Sequence, residues 1–105
     1  MSDRELLELA AKAAGIDARR LPHAWPNRFD DDQWNPLIDD GDALRLAVKL
    51  NIRIAPVANG RDVCAAFYTD HPFEASVETH GTDKQASVRR AIVRAAAEIA
   101  KAREA

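Results

Sequence analysis

Three histidines and one cysteine carry the obvious metal-binding and nucleophilic chemistry of this sequence: His23, His71, His80 and Cys64. A zinc site is built from such ligands in short spaced pairs, C-x-x-C or H-x-x-x-H, and neither spacing occurs. A nucleophilic enzyme needs its Cys or Ser beside a base that a third group orients. Cys64 stands among Val63, Ala65 and Ala66, and a small thiol in such company reads as core. There is no G-x-S-x-G elbow, phosphate-cradling glycine loop or paired-carboxylate motif. The histidines therefore read as independent surface or turn residues. No catalytic residue, metal or cofactor is assigned. A small enzyme with an unrecognised site remains only as an alternative.

Asp30, Asp31, Asp32, Asp39, Asp40 and Asp42 form an acidic run that invites a calcium reading. A calcium loop needs oxygen ligands at alternate positions before its glycine. Before Gly41 those positions hold Pro36, Ile38 and Asp40, so the match fails and the acids read as helix caps and solvated surface. Near the C-terminus, Arg90, Arg94 and Lys101 fall on one helical stripe that could track phosphates. Glu98 is spaced to pair with Arg94 and Lys101, which favours a solvated, salt-linked face. Nucleic-acid binding through Arg90, Arg94 and Lys101 is the alternative. Trp25, Phe29 and Trp34, interleaved with prolines and with Asp30, Asp31 and Asp32, either plug the core or anchor a partner. Those six residues are the candidate protein-binding set.

The elements that would position these residues follow from period and punctuation. Ser2 with Glu5 makes a capping box for a helix to about Ala14, with Leu6, Leu7, Leu9, Ala10, Ala13 and Ala14 inward and Gly15 as the C-terminal cap. Residues 16–38 hold no period and read as a long loop, with a short helical turn near Asp17 to Leu21. Trp34 to Asn51, WNPLIDDGDALRLAVKLN, is the organising stretch. Pro36 keeps Asn35 extended, and Asp39 and Asp40 cap a helix starting near Asp42. Ala43, Leu44, Leu46, Ala47, Val48 and Leu50 make its wide apolar face, with Trp34 and Leu37 folding back against it.

Ile52 and Ile54 begin a first strand that Pro56 ends or confines to an edge. Asn59-Gly60 is a turn, and Val63 to Thr69 is a central strand with Phe67 in the core. In the third strand, Phe73, Ala75, Val77 and Thr79 are expected on the covered face, opposite Glu74, Ser76, Glu78 and His80. Thr82 with Gln85 opens a helix over about Asp83 to Arg103, whose inward stripe is Val88, Ile92, Ala95, Ile99 and Ala102. The expectation is one α+β domain over 1–105: an antiparallel three-stranded meander packed with helices in the order α-loop-α-β-β-β-α. It divides into an N-terminal helix (1–15), an aromatic and acidic loop (16–38) and an α-β-β-β-α core (39–105). The middle strand wants cover on both faces, supplied by helices or by a second copy, so monomer and homodimer both stay open.

A chain of 105 residues, 47% hydrophobic, can bury about 60–65% of its unfolded surface, enough for a core without staples. A formal charge of −2 sets up no global attraction to nucleic acid or membrane. One cysteine excludes an internal disulfide and fits a reducing compartment. The charged start MSDRELLELA reads as no signal peptide, and no apolar run nears the ~20 residues a bilayer requires.

The stretches DRELLELAAKAAGI, WNPLIDDGDALRLAVKL and VRRAIVRAAAEI resemble small proteins of tailed bacteriophages and prophages. The layout of Trp–Pro–acid–helix, strands and alanine-rich helix resembles the phage ABA sandwich domain family. The resemblance covers about half the residues, leaves out 16–32, and brings no catalytic or ligand-binding residue with it. It implies a phage accessory protein in the cytoplasm of a bacterial host. The function expected is non-enzymatic binding to a host or phage protein, with antiviral defence among the candidate targets.

Overall fold

Ser2 sets the first helix: its Oγ accepts from the Glu5 amide at 3.2 Å, and α1 runs Asp3–Ala14. Gly15 closes it at φ +70°, where its amide and that of Ile16 reach back to Ala11 and Lys12 carbonyls. Only a residue without Cβ takes that conformation at no cost. The structure is a computed structural model that describes residues 1–21, 33–57, 62–68 and 75–104.

Asp17 then caps a single 3-10 turn, Ala18–Arg20, by accepting from the Arg19 amide at 2.9 Å. The second helix, α2, spans Asp40–Lys49, with Asp39 Oδ2 accepting from the Asp42 amide at 2.8 Å. Strands β1 (Arg53–Ala55), β2 (Val63–Phe67) and β3 (Ala75–Thr79) follow, and α3 covers Lys84–Glu104. The cap of α3 is Asp83, whose Oδ1 accepts from Ala86 N at 3.0 Å. That is one residue later than the expected Thr82–Gln85 box, because a carboxylate competes better than a hydroxyl for the helix end.

The fold is α+β, and its sheet is antiparallel in the order β1-β2-β3. Register pairs Ile54 with Ala66 and Ala66 with Ser76, and pairs Cys64 with Glu78. Because side chains alternate, Ile54, Cys64, Ala66, Ser76 and Glu78 share one face. Three of them, Ile54, Cys64 and Ala66, join the cluster built from all three helices, to which Phe67, Val63 and Val77 do not belong. The core thus lies between this face and the helices.

The covered face of β3 is the opposite of the expected one. Ser76 and His80 are buried and Glu78 is mostly covered, whereas Val77 is exposed. Glu78 turns inward because α3 presents guanidinium groups that reach it, so a polar strand face is satisfied rather than stranded. Phe67, expected in the core, lies half-buried on the other face of the sheet because strand alternation sets it opposite Cys64 and Ala66, with the Arg53 guanidinium 5.2 Å from its ring centroid.

The buried positions of α3 are Ala91, Ile92, Val93, Ala95, Ala96, Ala97 and Ala100. At 100° per residue they cover about 240° of its circumference. The expected stripe was narrower: Ile92 and Ala95 belong to it, Val88 and Ile99 are half-buried, and Ala102 is exposed. Helix α3 packs against α1, α2, β2 and β3 together, and its alanines let all of them approach closely. Along α1 the contacts run in step: Arg90 meets Asp3, Arg103 donates to the Ala13 carbonyl, and Lys12 meets Glu104. The two helices are therefore parallel.

Candidate functional site

Trp34 leads into α2 and is 4% exposed. It is a core residue, as Leu21 and Pro36 are, which corrects its place in the candidate partner-binding set: a ring with no exposed face cannot anchor a partner. Asn35 Oδ1 accepts from Leu37 N at 3.1 Å, a local turn that Pro36 permits. Asp42, read from sequence only as a helix start, is buried and holds this lead-in. One of its oxygens accepts from Asn35 N at 3.0 Å and the other from Arg45 at 2.8 Å. Arg89 fastens the same segment to α3: its Nε donates to the Leu37 carbonyl at 2.9 Å and its Nη1 to Asp40 at 2.6 Å. The Arg89 side chain is only 15% exposed, so this basic residue is structural.

The basic stripe of α3 is engaged along its length. Arg94 lies 2.6 Å from Glu78, Arg90 lies 2.8 Å from Asp3 and 3.7 Å from Glu78, and Lys101 lies 3.4 Å from Glu98. Three cations therefore face three carboxylates, and Glu78 is 19% exposed in the midst of them. The expected Lys101–Glu98 pair forms, while Arg94 turns to β3 instead of Glu98. Ion pairs at such half-exposed sites are individually weak, and here the cations and carboxylates are equal in number.

A different surface is left open. Between α2 and the first turns of α3 lies a cleft of about 370 Å³ walled by Ala43, Leu44, Ile54, Pro56, Val88 and Ile92. Its rim carries Asp40, Lys84, Gln85 and Arg89. Asp40 already accepts from Arg89 and, at 3.4 Å, from Gln85. Leu44 is 59% exposed beside the cleft and Val48 68% exposed one turn on. Both were expected on the inward face of α2. The helix packs against α3 on one side only, so the buried set Asp42, Ala43, Leu46 and Ala47 takes a narrower arc than its apolar sequence offers.

His80 also lines this cleft. It was read as a surface residue, and it is buried. Its Nε2 lies 2.6 Å from the Pro56 carbonyl, which can only accept, so Nε2 carries the proton. This bond ties the end of β3 to the end of β1. Nδ1 is buried with no partner among the described residues.

Cys64 is fully buried in β2, as expected. Burial pushes its thiol above the ordinary value, which keeps it protonated and a poor nucleophile. Among the described residues no three His, Cys, Asp or Glu side chains gather where a metal could sit. No helix there is long and apolar enough to cross a membrane.

Of the candidate partner-binding set, Trp25, Phe29, Asp30, Asp31 and Asp32 lie outside the described residues, as do His23 and His71. Their point of departure is defined. The chain leaves at Leu21 and returns at Gln33, and the Trp34 amide donates to the Arg20 carbonyl at 2.7 Å across the two ends. Comparison with known proteins adds no relative: no family model, no curated protein and no solved structure matches this chain.

Proposed function

We propose that this protein is a non-enzymatic protein-binding module, an accessory protein of phage type that engages a host or phage protein in the bacterial cytoplasm. The observation that carries the reading is the apolar cleft between α2 and α3 with Leu44 and Val48 exposed beside it. Apolar side chains gathered at a concave site favour a partner that fills it, because burial there releases water at about 25 cal/mol per Å². The phage assignment rests on the sequence resemblance alone. Neutralisation of Arg90, Arg94 and Lys101 by Asp3, Glu78 and Glu98 weighs against the nucleic-acid alternative.

The test is affinity capture from infected host cells with the full chain as bait. Leu44→Arg is expected to lose the captured protein while keeping the helical signal and melting temperature of the parent. Reversing Arg90, Arg94 and Lys101 to Glu is expected to leave capture in place. Retention on DNA or RNA at physiological salt, abolished by the reversals and indifferent to Leu44→Arg, would overturn the proposal.

A further inference from the structure

Resting on the protein-binding reading, we propose that the partner enters the cleft with an indole side chain whose N–H donates to His80. Alternation sets residues two apart on the same side of a strand. Pro56 follows Ile54 by two and His80 follows Glu78 by two, so both lie on the helix side of the sheet. Ile54, Pro56 and His80 accordingly line the cleft together. From β3 the imidazole reaches past the middle strand, and its Nε2 meets the Pro56 carbonyl at 2.6 Å.

That contact fixes the state of the ring. A carbonyl only accepts, so Nε2 holds the proton and Nδ1 keeps a lone pair. His80 is 8% exposed, and its Nδ1 is buried with no partner among the described residues. Native proteins leave few buried polar atoms unpaired, and each such atom calls for a reason. Here the reason is position. The ring belongs to the wall of an apolar cleft, and a group that enters the cleft brings the missing donor.

The surroundings decide what carries that donor. Ala43, Leu44, Ile54, Val88 and Ile92 offer only hydrocarbon, in a recess of about 370 Å³ with room for an aromatic side chain. An ammonium or guanidinium is disfavoured, because Arg89 and Lys84 already bring positive charge to the rim and a cation loses its hydration on entry. A hydroxyl brings lone pairs that hydrocarbon walls leave unmet. Indole N–H donates and accepts nothing, so a single hydrogen bond to Nδ1 satisfies both groups. The rest of the bicyclic ring is apolar, and its burial against Leu44 and Val88 drives entry.

Indole itself is the probe, titrated into the full chain and followed by nuclear magnetic resonance. The expected result is movement of the Leu44, Val88 and Ile92 amides, together with a shift of the His80 Nδ1 nitrogen as it gains a donor. N-methylindole has nearly the same shape and no N–H, and it is expected to bind about tenfold more weakly, because it leaves Nδ1 unpaired. His80→Phe keeps a ring in the wall without the acceptor and should abolish that preference. If this variant does not fold, the two probes compared on the parent protein decide by themselves. Equal affinity of the parent for indole and N-methylindole overturns the proposal. So does indole that moves no cleft amide, and so does tighter binding of p-cresol than of indole. If the two indoles bind alike while Leu44→Arg still loses the captured protein, the indole assignment fails and the protein-binding reading stands. Capture that survives Leu44→Arg removes the protein-binding reading, and this inference with it.

Discussion

Helices α2 and α3 each present a surface that invites a partner, and they dispose of it in opposite ways. The stripe of α3 carries Arg90, Arg94 and Lys101, and each of them is taken up by a carboxylate of α1, β3 or α3 itself. The stripe of α2 carries Leu44 and Val48, and both remain open to water. A charged face can be satisfied from within, because a single glutamate such as Glu78 can serve two guanidinium groups at once. An apolar face is satisfied only by coverage, and α2 is too short and too peripheral to be covered all round. Charge on a helix is therefore a poor guide to binding until its partners are known. An uncovered leucine on a helix that already has a core face is a better one.

The largest effect is expected where α2 is anchored: Trp34→Ala should destabilise by about 3–5 kcal/mol, since a buried aromatic leaves both lost burial and a cavity. Ile92→Ala, the matching position on α3, should cost about 2–5 kcal/mol. Urea unfolding with an unchanged midpoint for either would mean the helices are packed differently. Glu78→Gln should cost less, on the order of 1–2 kcal/mol, by leaving Arg90 and Arg94 underpaired. The informative readout is elution from heparin, where this variant should need more salt than the parent. Unchanged elution would show that the stripe was never held back by Glu78.

Leu44→Arg should move stability by no more than about 0.5 kcal/mol, a loss well beyond that in thermal unfolding being evidence that the residue is covered. The smallest effect belongs to Asp17. The Arg19 side chain and then its amide hold this carboxyl at about 2, below its ordinary 3.8. Its contribution to the 3-10 turn is full above about pH 4 and fades as pH falls through about 2. A proton titration following the Arg19 amide should locate the midpoint there, and a midpoint near 4 would remove the pairing.

Much of this architecture is legible in the sequence where the signal is local. Ser2 and Gly15 bound α1, Asp39 caps α2, the Asp17–Leu21 turn is present, Pro56 ends an edge strand, and Trp34 and Cys64 are core. The failures share one cause. Alternation along β3 says which residues share a face, and it cannot say which face the helices take. That choice depends on Arg90 and Arg94, more than ten residues away in sequence, meeting Glu78. The same holds for the candidate site. Asp40, Arg90 and Arg94 are absorbed by contacts at long sequence separation, while Leu44, Val48 and His80 give no warning of where they end up. Periodicity shows that α2 is apolar over a wide arc; only packing reveals that part of the arc is left over.

The hydrogen bond from the Trp34 amide to the Arg20 carbonyl gives the molecule a seam. It joins Arg20 to Trp34, and the buried Leu21 and Trp34 on either side belong to the core. Doubling the length of a connection between fixed ends costs only about 0.6 kcal/mol of closure entropy. A change in the length of the connection between these two ends is thus expected to cost little in closure entropy.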